Sequence, residues 1–177
     1  GIAGVVGELI SVPAEYEVAI EVALGSSIQN LIAINDKAAE EAIYYLKQAN
    51  KGRATFLPLN TIKVREIKNE YKNLLAQNGV IGIASSLVDI SSPYLRVIKH
   101  LLGNILVVDS LETARFIGKK SSFNLKIVTL DGDIINPGGA LTGGSINKKS
   151  AALLARPREI KELEEALEIK RIALAEL

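Results

Sequence analysis

The chain contains no cysteine, no methionine and no tryptophan, and it carries one histidine, His100, in 177 residues. Without cysteine there can be no disulfides and no thiolate metal sites, which fits a reducing cytoplasm. A single histidine removes His–His zinc sites and Ser–His–Asp triads unless a second subunit contributes. No apolar stretch reaches the roughly eighteen residues needed to span a bilayer. Gly1 opens directly into Ile2-Ala3-Gly4-Val5-Val6-Gly7-Glu8-Leu9-Ile10, with neither a signal peptide nor a transit segment. Lacking an initiator methionine as well, the chain reads as an internal, soluble piece of a longer protein. Hydrophobic residues make up 48% of it, enough to bury a core as one domain or two small lobes.

Helical and strand-like patterns alternate along the chain. Ala14 to Leu24 follows Pro13, places Tyr16, Ile20 and Leu24 on one face and stops at Gly25, as an amphipathic helix does. Ile28 to Ile34 is strand-like, and Asn35 or Asp36 caps a helix running to about Gln48. Ala54 to Leu57 reads as a strand ended by Pro58, Val64 to Gln77 as a polar helix and Val80 to Ala84 as a strand. Pro93 to Leu102 is a helix closed by Gly103, and Ile105 to Val108 a strand. Ser110, with Thr113 and Phe116, opens a short helix before the strand Leu125 to Leu130. The pattern predicts an α+β fold of two small mixed α/β lobes, each with its own sheet: residues 1–76, then 77–154, then the start of a coiled-coil arm at 155–177.

The most informative segment is Gly138-Gly139-Ala140-Leu141-Thr142-Gly143-Gly144-Ser145. A phosphate-binding loop needs G-x-x-x-x-G-K-[ST], whose lysine reaches the β and γ phosphates. Gly138, Gly143 and Ser145 have that spacing, but Gly144 stands where the cation belongs. Asp131-Gly132-Asp133 before it is a turn signal leading into Ile134-Ile135, so the glycines fall in or beside a strand near the end of a sheet. Glycine lacks Cβ, so such a run serves a loop with bulges or a close approach by a second chain at a sheet edge.

From Pro157 onward there is no glycine, and Ile160, Leu163, Leu167, Leu174 and Leu177 follow the three-and-four spacing of a heptad seam, interrupted at Lys170. The alternative is an ordinary amphipathic surface helix. Net charge is only +1, yet it is divided: residues 1–50 carry −5, 51–72 carry +4, 119–158 carry +5 and the last helix −3. Clustered cations bind a phosphate backbone through counterion release, without base contacts; otherwise they are solvated surface. Phe123 is the only aromatic within the second cluster, so stacking on single strands has little support.

No catalytic constellation appears. Asp131 and Asp133 fit a hairpin turn better than a metal site. Glu17 and Glu21 share a helical face four residues apart, a spacing that alone marks no acid–base pair, and His100 reads as a helix-surface or packed residue.

Five blocks nevertheless resemble the hinge domain of the structural maintenance of chromosomes (SMC) proteins. They are Gly4-Val5-Val6-Gly7, Tyr16 to Gly25, Gly52-Arg53-Ala54-Thr55-Phe56-Leu57-Pro58-Leu59, Leu101-Leu102-Gly103-Asn104, and Asp131-Gly132-Asp133 with the glycine run. They stand in the family's order over nearly the whole chain; Leu141 departs from a frequent methionine, a swap of similar volume. The resemblance implies a hinge between two coiled-coil segments of a chromosome condensation and segregation ATPase, cytoplasmic and nucleoid-associated, of the prokaryotic homodimeric type. It implies no enzyme activity here and no cofactor, since ATP and magnesium belong to head domains assembled from distant termini. Two chains would pair through two equivalent interfaces around a central hole, with Gly138, Gly139, Gly143 and Gly144 at the contact. Weak, sequence-independent DNA binding would use Lys119, Lys120, Lys148, Lys149, Arg156 and Arg158, near the coil junction. Accessory condensin-like subunits would join only the full-length protein. The rival readings are a purely structural dimeriser whose lysines are incidental, and a phosphate- or nucleotide-binding domain using the glycine loop.

Overall fold

The computed structural model describes residues 1–145 and 154–175, with the side chains of 156–159, 161–162 and 173–175 set aside. The elements run β1 (Ile2–Val5), α1 (Val6–Leu9), β2 (Ile10–Ser11), α2 (Glu17–Leu24), β3 (Leu31–Ala33), α3 (Asp36–Gln48) and β4 (Phe56–Pro58). They continue through β5 (Val80–Ile83), β6 (Asp89–Ile90), α4 (Leu95–Leu102), β7 (Ile105–Val108) and α5 (Leu111–Lys120). β8 (Lys126–Thr129), β9 (Ile134–Ile135), β10 (Leu141–Thr142) and α6 (Ala155–Ala175) complete the chain. The strands form separate early and late sheets, in the orders β1-β3-β4 and β10-β9-β8-β7-β5, as the sequence predicts.

The local signals act where they were read. Asn35 caps α3, its Oδ1 accepting from the Ala38 amide at 2.8 Å. Ser110 caps α5, its hydroxyl accepting from the Thr113 amide at 3.3 Å. Gly103 closes α4 with its amide on the Lys99 carbonyl. The all-apolar run of β7 is explained by two-sided burial: Ile105 and Val107 face one core, while Leu106 and Val108 face the other.

Two features depart from expectation. Residues 28–29 belong to a 3₁₀ turn, Gly25–Gln29, so β3 begins only at Leu31. Val64 to Gln77 is not a helix: only Asn69–Ala76 coils, as 3₁₀ turns, and the stretch before it has no regular structure. The cause is tertiary. The Arg65 amide donates to the Lys99 carbonyl at 3.2 Å, and a Cβ at Gly103 would collide with the Arg65 carbonyl. Backbone lies against backbone there, while Ile67 and Leu74 enter a core, and these contacts outweigh helix propensity.

A third sheet joins the halves. β2 pairs antiparallel with β6, setting Ile10 opposite Ile90 and Ser11 opposite Asp89. Around this ribbon one core continues from Ile20, Leu24 and Ile32 to Val97, Ile98 and Leu102.

Candidate interface at the edge of the five-stranded sheet

The glycine segment forms the outermost strand of the larger sheet. Asp131-Gly132-Asp133 makes the turn, with Gly132 at φ +89° and its amide on the Thr129 carbonyl. β9 then runs back along β8, and β10 along β9, with Leu141 opposite Ile135 and Thr142 opposite Ile134. The other flank of β10 pairs with no strand among the described residues. Leu141 is 58% exposed there, a large apolar side chain on an open edge. An unpaired row of N–H and C=O groups is a ready template for another strand.

The connection between β9 and β10 is tied to its own chain. The Asn136 amide donates to Ala140, the Gly139 amide to Asn136 and the Gly138 amide to Phe123, all on carbonyls and between 2.8 and 2.9 Å. Gly138, Gly139 and Gly144 sit at φ +90°, +91° and +131°, a backbone region that favours glycine. Gly143 is required for another reason, because a Cβ there would overlap the Asp133 carboxylate. Local conformation therefore accounts for much of the glycine content. With the Gly138 and Gly139 amides already spent, the loop offers little to cradle a phosphate.

Phe123 is the residue that sequence reasoning undervalued. It and Ser122 both adopt positive φ, +54° and +51°. Its ring packs beside Gly118 and Gly139, where added Cβ atoms would come within 2.8 Å and 3.6 Å of it. No local signal marks an aromatic residue in this conformation; the small residues facing it are the only hint.

The basic residues divide. Lys119 and Lys120 are exposed at the C-terminal end of α5, one turn before Phe123. Lys120 is engaged within the chain, donating to Gln77 Oε1 at 3.1 Å and lying 4.5 Å from the Phe116 ring centroid. Arg156 and Arg158 fall in the first turn of α6, and Lys148 and Lys149 lie outside the described residues. Along α6, Ile160, Leu163 and Leu167 are exposed by 55%, 69% and 58%, so that stretch of the apolar seam is uncovered. No cluster able to hold a metal and no helix long and apolar enough to cross a membrane occurs among the described residues.

Comparison with known proteins places this geometry. The sequence model of the SMC proteins flexible hinge domain matches residues 1–117. The chromosome partition protein Smc of Bacillus subtilis is 43% identical over 168 residues, covering 94% of this chain and 14% of that protein. That of Methanocaldococcus jannaschii is 40% identical over 150 residues, covering 85% of the chain and 12% of the protein. The chain thus spans a small part of these relatives. Among solved structures, an asymmetric dimer of the Geobacillus stearothermophilus SMC hinge domain aligns with TM-score 0.87 and 41% identity, over 99% of this chain and 70% of that one. A Pyrococcus furiosus Smc hinge domain with an extended coiled coil aligns with TM-score 0.69 and 32% identity, over 98% and 62%.

Proposed function

The chain belongs to the SMC flexible hinge domain family, and from that premise we propose that it joins two copies of a chromosome-partitioning protein. The observation that carries this reading is the open edge of β10 with Leu141 exposed upon it. Among the described residues the smaller sheet also has free edges, at β1 and β4. β10 of one copy adds to an edge of the smaller sheet of its partner, and the twofold axis repeats the contact, so the assembly closes with no growing end. Gly138, Gly139, Gly143 and Gly144 shape the loops flanking that strand, and a relative that crystallises as an asymmetric hinge dimer supports the pairing of two copies.

DNA contact accompanies dimerisation in this reading. Lys119 is exposed beside the glycine loop, and Arg156 and Arg158 open the arm helix, so with Lys120, Lys148 and Lys149 they offer sequence-independent phosphate contacts. The domain itself performs no catalysis and holds no cofactor. ATP and magnesium are used by heads elsewhere in the full protein, where condensin-like subunits also join, in the cytoplasm on the nucleoid. The decisive experiment is sedimentation equilibrium at micromolar concentration. A species of twice the chain mass, reduced to monomer by Leu141→Lys, is the expected result. A monomer throughout, or a dimer indifferent to that substitution, overturns the proposed interface.

A further inference from the structure

Between the two larger sheets lies a cleft of about 430 Å³, bordered on one side by Leu57 of β4 and on another by Pro137 beside the glycine loop. Its walls bring together Arg65, His100 and Lys126, with Asn30, Thr55 and Asn104 as neutral hydrogen-bonding groups and no aspartate or glutamate. From this juxtaposition we propose that the cleft binds a phosphate monoester group.

Each basic residue is held in place by the fold. Lys126, at the start of β8, is half-buried and donates to the Ala23 carbonyl at 2.9 Å. An ammonium has three donors, and no carboxylate lies within 4 Å of this one among the described residues. His100 Nδ1 donates to the Lys63 carbonyl at 2.7 Å, which leaves Nε2 as an acceptor able to take the proton of a monohydrogen phosphate. Arg65 is fixed at its backbone by its amide bond to Lys99. Its guanidinium presents a planar fork suited to phosphate oxygens.

The opposing field is smaller. α2 and α4 both end at the cleft, and each helix C-terminus carries roughly half a negative charge. Arg65 and Lys126 together outweigh that sum; burial lowers the Lys126 pKa, and an anion bound beside the ammonium offsets that cost. A monoester, with about two negative charges near neutral pH, gains more from such a site than a diester with one. Leu24, Leu57 and Leu101 provide apolar wall for a small organic body, and the volume lies within the range of ligand pockets, roughly 300–1,000 Å³.

The test titrates the chain with inorganic phosphate and with glycerol 3-phosphate, holding ionic strength constant with sodium chloride. Calorimetry and the His100 ring resonances report binding, and a lone histidine makes the signal unambiguous. We expect saturable heat and a shifted His100. Arg65→Ala and Lys126→Met should each weaken binding about tenfold or more, the loss of one charge-assisted hydrogen bond. Lys37→Ala on α3 should change nothing. If Lys126→Met fails to fold, the exposed Arg65 decides. An oligonucleotide with a 5′-phosphate, compared with the same strand bearing a 5′-hydroxyl, separates the sources. Response to the free ester marks a soluble ligand, and response only to the phosphorylated strand marks a nucleic-acid end. No heat and no His100 shift with any phosphate probe overturns the site, as does binding undiminished by Arg65→Ala.

Discussion

The Gly138 amide donates to the Phe123 carbonyl at 2.8 Å, tying the glycine loop to the end of α5 within a single chain. The proposed contact surface is thus shaped before a second copy arrives. Preorganisation of this kind lowers the ordering cost of association. It also means that glycine substitutions report on two things at once.

Replacing Gly138, Gly139, Gly143 and Gly144 together by alanine should lower stability as well as dimerisation. Three of these residues have positive φ and the fourth abuts Asp133, and such strain costs roughly 1–3 kcal/mol per site. Leu141→Lys meets no such obstacle, since its side chain is exposed. It should abolish the dimer while leaving the thermal midpoint nearly unchanged. Parallel sedimentation and melting measurements separate the two effects; equal loss of stability in both variants would contradict this account.

Changing Lys119, Lys120, Lys148 and Lys149 to glutamate should abolish DNA binding in a gel shift and leave sedimentation unaltered. Among single changes, Lys119→Glu should weaken binding more than Lys120→Glu, because Lys120 also serves Gln77 and Phe116. Each lost phosphate contact should flatten the salt dependence by about 0.9 in log–log slope. Wild-type affinity in the quadruple variant at low salt would remove the patch.

Asp36 Oδ1 accepts from the Asn60 side chain at 2.9 Å and from the Lys37 amide at 3.0 Å, and these bonds hold its carboxyl below its ordinary value, the Asn60 bond foremost. A depressed folded pKa contributes stability above the unfolded value, about 3.9 for aspartate, and loses it as pH falls through the folded one. Asn60→Ala should therefore raise the Asp36 midpoint in a carboxyl-detected NMR titration. It should also reduce acid sensitivity below that pH. An unmoved midpoint would assign the shift to the backbone amide instead.

Ile98 is fully buried in the core shared by α2 and α4. Ile98→Ala should cost about 2–5 kcal/mol in denaturant unfolding. Because that core is continuous, the loss should appear in one transition monitored from either half. Two separable transitions would show that the sheets fold independently.

Much of this was legible in residue order. Caps at Asn35 and Ser110, the stop at Gly103 and the apolar run of β7 each act through neighbours a few positions away. The segment Val64 to Gln77 was misread because its conformation is set by Lys99 and Gly103, far along the chain. The β2–β6 ribbon escaped notice for the same reason, being two residues on each side. At the candidate interface the turn and edge strand could be read from Asp131-Gly132-Asp133 and the glycines. The part played by Phe123, which depends on a left-handed backbone and two facing glycines, could not.

The ribbon that sets Ile10 against Ile90 has a consequence during synthesis. A ribosome adds roughly 5–20 residues per second, so the first half waits on the order of 4–16 s for the partner of β2 to be made. Throughout that interval the share of the core that α4 supplies through Val97, Ile98 and Leu102 is missing beside Ile20 and Leu24. Truncation before α4 should therefore leave part of the apolar face of α2 open to water and make the fragment less soluble than the whole chain.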